Sequence, residues 1–102
     1  MIEVIVAPQA RADLLDILRY LATVASPATA DRWDRKFWAA IHDLAEFPGI
    51  GAPRPALGAN VRIKIVGPYV IIYEHARGDS AAHVLRVVHG KRNITRKLLL
   101  GR

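Results

Sequence analysis

The 102 residues fit one domain, 1–102, and at 52% hydrophobic content the chain is too apolar to be disordered. It holds no cysteine, which excludes disulfide frameworks, thiol nucleophiles and cysteine-based zinc sites and suits a reducing cytosol. The net charge of +6 is uneven: residues 1–51 carry five Lys/Arg against seven Asp/Glu, a net of −2, and residues 52–102 carry ten against two, a net of +8. A positive second half attracts nucleic acid, an anionic membrane or an acidic protein segment, or it simply keeps a small apolar protein soluble. The opening Met1-Ile2-Glu3-Val4 lacks the basic and apolar regions of a secretion signal, and no apolar run nears the ~18–20 residues of a membrane span. The expectation is a cytoplasmic protein without a membrane partner.

Ile2 to Val6 is short and β-branched, a first strand. Pro8 suits the start of a helix, and Ala10, Leu14, Ile17, Leu18 and Leu21 then mark one helical face through Val24. Ser26-Pro27 is a second start, with serine as cap and proline in the first turn. Ala30, Trp33, Phe37, Ile41 and Leu44 form the most regular stripe in the chain, read as core, and Pro48-Gly49 ends that helix near Phe47. Two such helices joined by a few residues make an antiparallel hairpin. Ile50 to Ala59 is rich in Gly and Pro and reads as a loop.

From Val61 the period falls to two. Val61, Ile63 and Ile65 alternate with Arg62 and Lys64, Gly67-Pro68 turns the chain, and Tyr69 to Tyr73 is apolar on both faces, as an interior strand is. After the Arg77-Gly78-Asp79-Ser80 turn, Ala82 to Val88 completes an antiparallel meander. A short helix from Asn93 or Thr95 through Leu100, ended by Gly101, closes the chain. The fold class is α+β: a helix hairpin on a small, mainly antiparallel sheet, in the order β-α-α-β-β-β with a C-terminal helix.

In simple register Arg62, Lys64 and Arg86 share a sheet face, with Lys91 and Arg92 beyond its rim, an arrangement suited to phosphate or carboxylate or else a solvated surface. If Arg86 turns inward it needs an acid, and Glu74 is the nearest in sequence. His42, His75, His83 and His89 fall at no metal-ligand spacing, so neither metal nor cofactor is expected. Acid–base chemistry would have to use His75 or His89 beside arginines. No aromatic residue follows Tyr73, which disfavours a reader of single-stranded bases. Tyr69 and Tyr73 read as core, Tyr73 the more buried.

Leu44-x-x-Phe47-Pro48-x-x-Gly51, Val61-Arg62, Tyr69-x-Ile71-x-Tyr73 and Leu85-Arg86-Val87-Val88-His89-Gly90-Lys91-Arg92 follow one another in an order that resembles the ParE/RelE superfamily of toxins from type II toxin–antitoxin systems. The resemblance implies the same helix hairpin and sheet, and an acidic, partly disordered antitoxin that forms an oligomer with the toxin. Leu14, Leu18, Trp38 and Arg54 are the expected antitoxin contacts. RelE-like members cleave messenger RNA on the ribosome; Arg62, Lys64, His89 and Arg92 match that catalytic set. Val70 and Leu98, however, stand where those nucleases carry arginine and tyrosine. ParE-like members inhibit DNA gyrase without being enzymes, and the Arg-Val-x-His-Gly-x-Arg block resembles theirs. The expected function is therefore a gyrase inhibitor with Arg62, Lys64, Arg86, His89, Lys91 and Arg92 as target contacts, Arg86 being alternatively a scaffold residue. The alternatives are a ribosome-dependent nuclease or an inactive relative that only binds antitoxin.

Overall fold

The computed structural model describes residues 1–100; the expected stop at Gly101 lies outside them. Strand β1 (Glu3–Val6) leads into α1 (Pro8–Val24) and α2 (Pro27–Glu46). Strands β2 (Ala52–Pro53), β3 (Val61–Val66), β4 (Tyr69–Glu74) and β5 (Ala81–His89) follow, then the single turn α3 (Arg96–Leu99). Serine caps α2 as its position implies: the Thr29 N–H donates to Ser26 Oγ at 3.0 Å. No helix is long and apolar enough to cross a membrane among the described residues.

The sheet has five strands in the order β1-β5-β4-β3-β2, with β1 parallel to β5 and the other pairs antiparallel. The meander is thus present, and the loop after α2 adds the edge strand β2, too short for a two-residue period to announce it. Val6, Ala10, Leu14, Phe37, Ile41 and Leu44 pack with Tyr69, Ile71, Tyr73 and Val84 between the helices and the sheet. Leu57, Val61, Ile63, Val70, Ile72 and Val88 form a second cluster on the far face, covered in part by Ile94, Leu98 and Leu99. The far cluster explains why β4 is apolar on both sides: each of its faces has its own core.

The Gly67-Pro68 turn sets the register. It places Val66 opposite Tyr69, hence Lys64 opposite Ile71 and Arg62 opposite Tyr73, so both cations lie on the helix side. Gly67 has φ +59°, and a Cβ there would stand 2.5 Å from the Trp33 ring, so both backbone and packing require glycine. On the other side of β4, Ile72 pairs with Arg86 but Tyr73 pairs with Val84, leaving Leu85 as an extra, bulged residue. Arg86 therefore sits on the far face with Ile72. It does not share a face with Arg62 and Lys64, contrary to the simple-register expectation.

Candidate functional site

Among the described residues no strand lies on the outer side of β5 beyond Val84, because the chain leaves β1 at Ala7 to begin α1. Asp13 of α1 occupies that gap. Its Oδ2 accepts from Arg86 Nε at 2.7 Å and from the Val87 N–H at 2.9 Å, and its Oδ1 accepts from Arg86 Nη2 at 3.0 Å. Arg86 Nη1 donates to the Leu98 carbonyl at 3.0 Å, tying the C-terminal segment to the same point. Arg86 is 7% exposed and Asp13 9%, so the fork is a bidentate, buried pair that also satisfies an open strand edge. The expected partner Glu74 is corrected to Asp13, and of the two readings of Arg86, target contact and scaffold, its burial in this pair matches the scaffold. Asp13 looked like an outward helix residue because it is off the apolar stripe; only the fold brings it to β5.

Arg62 is partly committed as well. Its Nη1 donates to Gly51 O at 2.7 Å and Gly49 O at 3.2 Å. Beneath it the buried Tyr73 hydroxyl donates to Pro48 O at 2.7 Å and accepts from the Gly51 N–H at 2.9 Å. Burial raises the Tyr73 pKa above its ordinary 10.0, against the lowering effects of the Gly51 hydrogen bond and nearby Arg62. A Cβ on Gly51 would stand 2.5 Å from Ile63 O and 2.7 Å from the Tyr73 ring, so glycine is needed for the loop to lie this close.

The remaining candidates lie at the open end of the sheet. His89, Lys91 and Arg92 are exposed, and Lys64 is half-buried on β3. The His89 ring meets Tyr69 edge-on at 5.6 Å, the last step of an aromatic ladder running back through Phe37 and Trp33. His89 Nδ1 accepts from the Lys91 N–H at 3.1 Å, which places the proton of the neutral ring on Nε2. His75, the other acid–base candidate, sits at the opposite end of β4 and donates from Nδ1 to Ala81 O at 3.1 Å. On the far face a groove of about 550 Å³ is floored by Leu57, Ile63, Ile65 and Val70 and rimmed by Arg54, His89 and Lys91. Ile65, 69% exposed, is its most accessible large apolar side chain.

A second cleft, of about 200 Å³, opens between α1 and α2 and is lined by Arg11, Leu14, Leu15, Leu18, Asp34 and Trp38. Leu14, Leu18 and Trp38 thus come together as expected, with buried Leu14 as the floor, while Arg54 lies apart on the far-face groove. Leu15, 53% exposed on the lip, was missed because it falls off the apolar stripe. Trp38 also borders a hollow of about 400 Å³ with Val4, Ile41, His42 and Ala45. At that point β1 is the sheet edge: Glu3 N–H and Ala7 N–H bond toward β5, so alternation turns the Val4 peptide groups outward. Among the described residues no group of three or more His, Asp or Glu is placed to hold a metal.

The model of the ParE toxin of the type II toxin–antitoxin system parDE matches residues 4–94. A search of curated proteins returns no match. Among solved structures, the chromosomal ParDE toxin–antitoxin system from P. aeruginosa superposes with a TM-score of 0.74 at 20% identity, covering 87% of this chain and 96% of that one. At that identity the likeness concerns the fold, and the family match, which spans most of the sequence, gives the assignment. The chain belongs to the ParE toxin family of type II toxin–antitoxin systems.

Proposed function

We propose that this toxin inhibits DNA gyrase by direct binding and is neutralised by a cognate antitoxin. The observation that carries the first half is the contrast at the nuclease positions. Val70 is buried and Leu98 packs on the same far cluster, so both positions contribute to core and neither presents a polar group to a substrate. What remains open nearby is an apolar groove on the far face rimmed by Arg54, His89 and Lys91, with Arg92 exposed next to Lys91 and Lys64 on the opposite face of the sheet. Arg62 contributes through the loop it holds. Such a surface grips a large partner by shape and charge. Gyrase supercoiling measured with increasing purified toxin should fall. Unchanged supercoiling at micromolar toxin, together with defined cleavage of ribosome-bound message, would replace this reading with the nuclease.

Family membership implies an antitoxin, and the helix cleft suits its docking. The cleft, Trp38 and the outward Val4 edge are contiguous, which fits an amphipathic helix followed by an extended segment that adds to the sheet. Arg11 lies 5.9 Å over the Trp38 ring at the cleft mouth and gives an acidic segment a cation to meet. Trp38→Ala should weaken antitoxin binding by about 2 kcal/mol, roughly thirtyfold, by calorimetry. Undiminished affinity would move the docking site elsewhere.

A further inference from the structure

The C-terminal arm sets four cations within the seven residues Lys91–Lys97, with no acid among them. No Asp or Glu follows Asp79 in the sequence. Lys91, Arg92, Arg96 and Lys97 are all exposed, and none of them takes part in the one salt bridge among the described residues, the buried Asp13–Arg86 pair. By contrast, Arg32, Arg35 and Lys36 on α2 are interleaved with Asp31 and Asp34 on their own helix. The arm is also held in place. Arg92 N–H closes a turn onto His89 O, Arg86 bonds Leu98 O, and Ile94, Leu98 and Leu99 face the far cluster.

That packing decides what the outward side can recognise. Ile94, Leu98 and Leu99 pack against the far cluster and are half-buried, so the exposed side chains from Lys91 to Lys97 are Lys91, Arg92, Asn93, Thr95, Arg96 and Lys97. A protein interface centres on aromatic or aliphatic anchors, which this side lacks, whereas phosphate contacts need only positioned cations and hydrogen-bond donors. It also has no ring on which an unpaired base would stack. We infer that the arm Lys91–Lys97 binds the phosphate backbone of duplex DNA, so that the toxin engages DNA and gyrase together, with the apolar groove left to the enzyme. The DNA contact stands on the arm itself; its setting beside gyrase rests on the function proposed above.

The test is binding of the purified toxin to a short fluorescein-labelled duplex, by anisotropy across a salt series. Four phosphate contacts give a slope of log K against log salt of about −3 to −4, near a hundredfold loss between 50 and 200 mM. The combined Lys91→Ala, Arg92→Ala, Arg96→Ala, Lys97→Ala variant should lose this binding and keep its melting temperature. If that variant does not fold, Lys91→Ala and Arg92→Ala singly should each flatten the slope by about one. No affinity for duplex at 50 mM salt overturns the inference. So does binding lost on changing Arg32, Arg35 and Lys36 but kept by the arm variant, or a tenfold preference for single-stranded RNA. An arm variant that binds duplex normally but no longer binds gyrase without DNA overturns it too, because the cations would then meet an acidic protein surface. Toxin that inhibits supercoiling without touching DNA sinks only this inference. Toxin that binds DNA and leaves supercoiling intact sinks only the gyrase reading.

Discussion

Arg86 and Arg92 lie in one motif, six positions apart, and sit in opposite surroundings. Arg86 is buried, with three nitrogens bonded to Asp13 and the Leu98 carbonyl. Arg92 is exposed on a turn that no acid approaches in sequence. A guanidinium gains much from a carboxylate in a dry site and little from one in water, so the two can be separated by how far each governs stability and how far each governs binding. The shared residue type carries no shared environment.

The largest break in that comparison is Asp13→Ala. It strands a buried guanidinium and the Val87 N–H, and should cost about 3–5 kcal/mol in urea unfolding. Replacing both members, Asp13→Leu with Arg86→Met, should cost less, about 1–3 kcal/mol, since the Val87 N–H and the part-buried Leu98 carbonyl lose their partners but no charge is stranded. A double variant as unstable as Asp13→Ala would mean that packing, not the stranded charge, dominates.

Tyr73→Phe should cost about 1–2 kcal/mol, because the hydroxyl both donates to and accepts from the Pro48–Gly51 loop. It also has a pH signature. The folded pKa is raised, so the folded state holds the phenolic proton more tightly than the unfolded chain. The associated stability is present in full below pH 10.0, the unfolded value, and is lost as pH climbs through the higher folded value. The Phe variant should show a shallower alkaline fall; an unchanged alkaline profile would assign it to Tyr69, which burial also raises. The smallest expected effect on stability is Arg92→Ala, within about 0.5 kcal/mol by thermal melting. A larger loss would place Arg92 in the scaffold with Arg86.

The two helices were legible from sequence to their ends, because a 3.6-residue stripe bounded by Pro8, Ser26-Pro27 and Pro48 leaves few other conformations. Strands β3, β4 and β5 were legible for the same local reason, an alternation broken by turns. The apolar character of β4 even announced that both its faces would be covered. The basic end of the chain and the candidates His89, Lys91 and Arg92 were also visible, since charge needs no partner to be read.

Facing and pairing across the sheet were decided elsewhere. Whether Arg62 and Arg86 share a side depends on the register of two successive hairpins, and the Leu85 bulge then shifts how β5 continues. Asp13 meets Arg86 across 73 positions only because β1 stops short and leaves the β5 edge for a carboxylate to fill. Local pattern fixes an element because neighbours along the chain determine it. A buried ion pair is fixed by elements meeting in space, and that information belongs to the fold as a whole.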